Sequence, residues 1–365
     1  MDLTLDDDQL LLAESARQLF ERSYTTAAAR EAEAQPDGFS ADLWRQAVEL
    51  GWPGIALPEV CGGAGYGALE LAVLAEELGR GAATLPLLSS YAAALPILWA
   101  GPASVRDRWL GALAAGDAIA ALAVTDPRGE QLQVTAAAGG WQLSGTKIAV
   151  PFGGVADVFV VRVDLDDGAP SLVAVAGDAP GVGRARHATF APEPFASVTL
   201  TDVAVATDDV VGDAPVLERA LAHQTVVDTA YAVGLAGGAL ALAVDHATNR
   251  EQFGRPIGVN QAVSHQCVDM RVEIDAMRVL TQQAAWRLDR HDTNPAGAAR
   301  AVALANAYAR DVLPGIFARA HQVHGAIGFT MEYDLQLYTR RAKAYELTGG
   351  GAAHHLEAVA RTIGL

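Results

Sequence analysis

The hydrophobic pattern of this chain changes its period twice, and that order of patterns restricts the fold more than any other feature. From Leu5 to about Arg30 apolar residues recur at helical spacing, at Leu10, Leu11, Ala13, Ala16, Leu19 and Phe20. Asp6 to Asp8 stand in the first turn, where carboxylates complement the helix dipole. Ser40 is placed to cap a helix over Ala41–Leu50 that stops at Gly51. Pro58–Gly67 reads as a Gly-rich turn, and Ala68–Leu78 as a helix closed by Gly79. Helical patterns continue over Ser89–Ala100 and Ala103–Ala115. Near Ile119 the grammar changes. Ile119–Val124, Leu132–Ala138, Trp141–Ser144, Ile148–Val150, Val158–Val163, Ser171–Ala176 and Ser197–Thr201 are short β-type runs punctuated by Gly, Asp and Pro. From Pro215 long helical patterns return, roughly at 216–248, 260–290, 295–324 and 331–346, with a last one near 352–363. The spacing predicts an α+β multidomain chain. A helical domain would cover 1–118, a small β-sandwich or barrel 119–212, and a four-helix-bundle-like domain 213–365.

Composition narrows the partners. With 365 residues there is room for two or three domains and a large core. A net charge of −17 argues against nucleic acid or an anionic membrane as a partner, but not against an anionic ligand held by a few local arginines. Cys61 and Cys267 make no disulfide framework and no Cys/His cluster for a metal, and are expected to be buried structural thiols. The acidic start lacks the form of a signal peptide. No apolar run reaches about 18 residues free of Gly, Pro and charge, so a cytoplasmic protein is expected.

Several motifs stand in a telling order. Arg250-Glu251-Gln252-Phe253-Gly254-Arg255-Pro256-Ile257, with Gln261 beyond it, lies between two long helical patterns. Gln322-Val323-His324-Gly325-Ala326-Ile327-Gly328-Phe329 follows, then Glu332 and Tyr338-Thr339-Arg340-Arg341-Ala342-Lys343. Upstream stand Gly51-Trp52 to Gly65, Glu76-Glu77-Leu78-Gly79-Arg80, Ala121 to Thr125-Asp126-Pro127, and Thr201 to Gly212. Over almost the whole chain this set resembles the acyl-CoA dehydrogenase family.

The resemblance implies an acyl-CoA thioester as substrate, FAD as cofactor and electron-transferring flavoprotein as acceptor. It implies that Arg250, Gln252, Phe253, Gln261, Gln322, Gly325 and Gly328 reach a flavin nucleotide bound mainly by a neighbouring subunit. The residue types suit that task. A guanidinium offers a two-pronged donor to a pyrophosphate, a phenyl ring offers an apolar face, and glycines allow close backbone approach. Thr125 could donate to a flavin or simply cap a strand end.

What should remove the substrate's α-proton is missing. The family uses a glutamate in a dry site, at either of two positions. Counted from Arg340, Ala342, Lys343 and Tyr345, the first is Gly349; the second, ten residues before Gly234, is Gln224. Neither side chain can take a proton, and Thr225 stands where the family has a substrate-holding arginine. The chain's own flavin cradle is eroded too. Arg128-Gly129-Glu130-Gln131-Leu132 replaces a G-x-G-S-D run, and Ala149 and Pro151 replace a tryptophan and a hydroxyl residue.

Asp228, one helical turn past Gln224, is the first substitute base to consider, against its reading as a solvated or paired carboxylate. His223 is a weaker one; Glu346 reads as a helix-end charge and His354 and His355 as surface histidines. Arg184, Arg186 and His187 form a basic cluster that could meet a CoA phosphate or be a solvated loop. Three readings follow. The chain is the base-lacking subunit of an FAD-dependent heteromeric enzyme, of the actinobacterial α2β2 kind that often acts on steroid or other bulky acyl-CoA thioesters. Otherwise it is a self-sufficient homo-oligomer with a relocated base, or a non-catalytic acyl-CoA or scaffold-binding homologue.

Overall fold

The computed structural model describes residues 4–165, 168–190, 192–362 and 364. The first three residues of the acidic start and residue 363 at the end of the last expected helix lie outside them.

Helix α1 (Asp7–Ser23) begins at a reciprocal cap, in which the Asp6 carboxylate accepts from the Gln9 N–H and the Gln9 side chain accepts from the Asp6 N–H. The expected single helix to Arg30 is broken at Tyr24, and α2 (Thr26–Ala34) resumes after it. Tyr24 is buried with its ring edge-on to Phe20 at 6.3 Å, and its backbone leaves the helical region to put it there. Helix α3 (Ala41–Glu49) starts where Ser40 Oγ accepts from the Leu43 N–H. Then come α4 (Ala68–Arg80), α5 (Leu87–Ala100) and α6 (Ala103–Ala115). The strands are β1 (Ala120–Ala123), β2 (Gln133–Ala137), β3 (Gly140–Pro151), β4 (Val158–Asp164), β5 (Pro170–Ala176), β6 (Val182–Arg186), β7 (Phe195–Ala206) and β8 (Val210–Asp213). They are followed by α7 (Ala214–Asn249), the hairpin β9 (Glu251–Gln252) and β10 (Arg255–Pro256), α8 (Gln261–Leu288), α9 (Pro295–His324), α10 (Leu335–Leu347) and α11 (Ala352–Thr362).

The chain divides into two compact units. The one formed by Ala32–Tyr66 and Thr84–Gln224 holds both four-stranded sheets, ordered β1-β4-β5-β8 and β2-β3-β7-β6. Helix α5 is apolar on nearly every side and packs its Ala92, Ala93 and Ile97 among Ala120, Leu122, Val158, Val160 and Leu172. Its buried polar groups are satisfied locally: Ser89 Oγ donates to the Pro86 carbonyl at 3.1 Å, and Ser90 Oγ accepts from the Ala120 N–H at 3.0 Å. The β1–β4 pair is parallel, which the long excursion through β2 and β3 permits.

Two irregularities shape the second sheet. Between Leu143 and Gly145 the register slips by one, and the extra residue on β7 is accommodated by Asp202 at φ 51°. Ser144 Oγ donates to the Asp202 carboxylate and accepts its N–H, which fixes the bulge and keeps both Leu200 and Val203 buried. The second slip, between Lys147 and Val150, places the extra residue on β3 and sets Ala149 at φ 52°. The two runs expected at 141–144 and 148–150 are thus one long, bent strand.

The other unit comprises Met1–Glu31, Gly67–Ala83 and Thr225–Leu365. Its centre is the approach of α4 to α7. A Cβ on Gly79 would lie 2.0 Å from the Tyr231 carbonyl, and one on Gly234 only 1.9 Å from that of Glu76. Gly79 therefore does not end α4, as the sequence suggests; it is the point where α7 crosses it. Of the flanking pair, Glu77 is buried and paired to Arg17 at 2.7 Å, and the partly buried Glu76 pairs with Arg278 at 2.9 Å. Helix α7 is long and apolar enough to cross a bilayer, at a mean hydropathy of 1.6, but 67% of that stretch is buried within the protein. Both cysteines are free and only partly buried, and burial pushes the Cys267 thiol up.

Candidate functional site

The motif residues from Arg250 to Gln261 occupy the end of α7, the β9–β10 hairpin and the start of α8. The hairpin turns on Phe253 and Gly254, both with positive φ (56° and 76°), as a two-residue turn matched to the strand twist demands. Glycine bears that conformation freely; phenylalanine does so at a cost of about 1–2 kcal/mol. The Phe253 ring, 99% exposed, gains no packing in return within this chain. Arg250 is exposed beside it, makes no ion pair among the described residues, and so keeps its donor fork available. Gln252 and Gln261 are exposed as well, Gln252 Nε2 donating to its neighbour's carbonyl.

The second motif ends α9. Gln322 is exposed in the last helical turn, and Gly325 terminates it at φ 64°, ψ −143°, a region open in practice only to glycine. Gly328 is buried, and a Cβ there would lie 3.0 Å from the His324 Cβ. The two motifs are brought together by residues that the sequence reading did not select. The His246 ring, on the last turn of α7, lies tilted against His324 at 4.8 Å, and His324 in turn meets Tyr333 at 5.0 Å. His321 stacks on Phe329 at 4.5 Å and shares a hydrogen bond with Thr339 Oγ1. Burial first, then the neighbouring His324 and Arg250, hold the His246 imidazole below its ordinary pKa, and burial does the same to His321. Their only sequence signal is position: His246 one turn before Arg250, His321 just ahead of Gln322, and His324 within the glutamine-to-glycine run.

The place of the missing base is also built in this unit. Gly349 sits at φ 66° in the turn after α10, where a Cβ would lie 3.1 Å from Arg310 Nη2. Arg310, reaching from α9, donates from Nε to Asn306 Oδ1 (3.0 Å) and from Nη1 to the carbonyls of Tyr345 (2.5 Å) and Glu346 (3.0 Å). The Tyr345 hydroxyl donates to Asn306 Oδ1 at 2.5 Å and lies 3.0 Å from Thr229 Oγ1. Since Asn306 Oδ1 accepts twice, its Nδ2 faces His355 Nε2 at 2.7 Å. That nitrogen is also 2.9 Å from the Gly349 carbonyl, and it can accept from Asn306 or donate to Gly349, not both. His355, expected at the surface, is therefore half-buried in this cluster, and burial lowers its pKa. Burial also pushes the Tyr345 phenol up to about 12.

Asp228, half-buried on α7, acts electrostatically on both Arg310 and Tyr345 and so belongs to the same neighbourhood. Glu346 is paired with Lys343 at 2.9 Å.

Within the sheet-bearing unit, Thr125 is exposed at the end of β1 and its carbonyl accepts from the Ile148 N–H. Asp126 is taken by the buried Lys147 ammonium at 2.6 Å, whose pKa burial lowers. Ala149 occupies the β3 bulge, and Pro151 ends the strand. Gln224 is half-buried on α7, while His223 is buried with Nδ1 2.9 Å from the Tyr91 hydroxyl. The basic cluster does not converge on an open site. Arg186 is held by the Gln35 and Pro36 carbonyls, Arg184 lies over the Phe159 ring at 5.2 Å, and His187 meets Ser197 at 2.6 Å.

Two family models match, described as the acyl-CoA dehydrogenase N-terminal domain over residues 6–117 and the acyl-CoA dehydrogenase C-terminal domain over residues 214–364. The chain is 30% identical over 340 residues to acyl-CoA dehydrogenase FadE27 of Mycobacterium tuberculosis, covering 92% of this chain and 91% of that one. It is similar to a chain of the ChsE4-ChsE5 complex from the same species at a TM-score of 0.93 and 29% identity, covering 100% of this chain and 99% of that chain. A variant of the Tcur3481-Tcur3483 steroid acyl-CoA dehydrogenase is similar at a TM-score of 0.88 and 32% identity over 99% of this chain and 98% of that one. The chain belongs to the acyl-CoA dehydrogenase family, oxidoreductases that act on acyl-CoA.

Proposed function

We propose that this chain is the base-lacking subunit of a heteromeric, FAD-dependent acyl-CoA dehydrogenase. It completes the flavin site of a paired subunit, which supplies the catalytic glutamate. The observation that carries the reading is Phe253: a strained turn residue holding a 99% exposed aromatic ring has no value to this chain alone and needs a covering partner.

The residues suit FAD in one direction only. Arg250 would meet the pyrophosphate through its free donor fork, Phe253 would cover an apolar face, and Gln322 with the Gly325 turn would take the polar edge. Gln252, Gln261 and Gly328 support that surface. The cis cradle does not fit, because Ala149 and Pro151 offer neither a ring to stack on nor a hydroxyl, and Asp126 is consumed by Lys147. A bound flavin would supply the acceptor for a hydride from the acyl β-carbon. This chain's part is to bind and orient it, and no group at Gly349 or Gln224 can remove the α-proton.

The likeness to a complex of two chains and to a steroid dehydrogenase supports a paired assembly acting on a steroid-derived or other bulky acyl-CoA. Electron-transferring flavoprotein is the acceptor in this reading. Asp228 as a relocated base is the second reading, favoured by its place in the Arg310–Tyr345 cluster. Purification decides between them. The chain alone is expected to be colourless and to gain FAD and dye-reducing activity only on co-expression with a homologue carrying an intact glutamate. Arg250→Ala should then lower FAD occupancy of the pair. A lone yellow chain that turns over acyl-CoA, and loses turnover but not FAD in Asp228→Asn, would establish the second reading instead.

A further inference from the structure

Arg310 retains 6% of its surface, and among the described residues no carboxylate pairs with it. An unpaired buried cation is costly, so its environment bears explanation. Part of that explanation is structural: the carbonyls of Tyr345 and Glu346 belong to the last turn of α10, where a positive charge and N–H donors are favoured. That role uses Nη1, and Nε is held by Asn306. Nη2 donates to no group among the described residues and faces Gly349, where a Cβ would lie 3.1 Å from it and meet no other atom within 4 Å. Gly349 and Gly350, at φ 66° and 89°, curl the backbone away before α11 starts at Ala352. Asp228 and Glu346 act on Arg310 only at longer range.

We infer that Arg310 Nη2 and the glycine turn 349–351 form a binding site for the carboxylate of a small organic acid. The ligand class follows from the donors. The single free nitrogen, Nη2, can donate to one oxygen of a singly charged group, and the acidic surroundings of Asp228 and Glu346 disfavour a dianion such as phosphate. Leu347 on α10 and Leu356 on α11, 72% and 55% exposed, offer apolar surface on the two helices that the turn joins. The carboxylate can come from a free acid or from the far end of a dicarboxylic acyl thioester. The inference uses no part of the flavin assignment, and its test requires no turnover.

Calorimetric titration of the full chain with octanoate, with octanol as the uncharged control, reads the site directly. Octanoate should bind and octanol should not. Arg310→Gln should weaken octanoate by about tenfold or more, with Arg310→Lys in between. Gly349→Ala, which puts a methyl group 3.1 Å from Nη2 while leaving the arginine in the sequence, should also weaken it, so the test survives if Arg310→Gln does not fold. Suberyl-CoA binding more tightly than octanoyl-CoA would assign the carboxylate to a thioester's far end; equal binding of the two, with octanoate still bound, would assign it to a free acid. Octanoate that does not bind, binds no better than octanol, or binds Gly349→Ala and Arg310→Lys as tightly as the native chain overturns the inference.

Discussion

Tyr345 shows how much a single side chain can organise here. Its hydroxyl ties α10 to α9 through Asn306 and lies against α7 through Thr229, while its carbonyl receives Arg310. Tyr345→Phe takes away one of the donors to Asn306 Oδ1 and should cost about 1–3 kcal/mol, read as a lowered urea midpoint. Burial raises the folded phenol to about 12, above its ordinary value of 10.0, so folding favours the neutral form. Its contribution is fully present below about pH 10 and disappears as the pH rises through about 12. The native chain should therefore lose stability over that interval more steeply than Tyr345→Phe, and parallel curves would contradict the assignment. None of this was visible in the sequence, where Tyr345 served only as a marker for counting to Gly349. Its partners lie 39 and 116 residues away along the chain.

At the scale of elements, the α4–α7 crossing sets the strictest requirement. Both glycines at the contact face backbone carbonyls, which cannot swing aside as a flexible side chain would. Gly79→Ala is expected to cost at least the upper part of the about 1–3 kcal/mol typical of overpacking, measured by chemical unfolding. A change within experimental error would mean the helices can separate freely. Glycine's identity was plain in the sequence, but its purpose was misread, because a helix stop and a helix crossing leave the same residue behind. The strands tell a similar story. β3 and β7 were partly legible from their apolar runs, yet β6 was missed, since Val182–Arg186 is an exposed edge strand without apolar alternation. The bulge at Ala149 depends on pairing with β7, which no local pattern reveals.

For the molecule as a whole, acid should be more damaging than its net charge of −17 alone implies. His246, His321 and His355 are each held below their ordinary pKa, with burial as the first cause. A depressed folded pKa means that the unfolded chain takes up protons first. The stability these residues contribute is thus present above about pH 6.5 and is lost as the pH falls towards their folded values. Unfolding free energy should decline between about pH 7 and pH 5.5, and more shallowly in His355→Asn; equal slopes would remove His355 from the account.

The order of helical and β regions, the family and the lack of a carboxylate at Gly349 and Gln224 were all determined by the sequence alone. Each depends only on residue identity and on periodicity along the chain, which survive without knowledge of contacts. Tertiary structure alone decided what surrounds those absences. It brought Arg310 to the vacated position, half-buried His355, set His246 against His324 to join the two motifs, and left Phe253 strained and bare. Burial and electrostatic environment arise from groups that meet only when helices far apart in sequence pack together, and that is why the same glycine reads as a loss in the sequence and as an opening beside a cation in the fold.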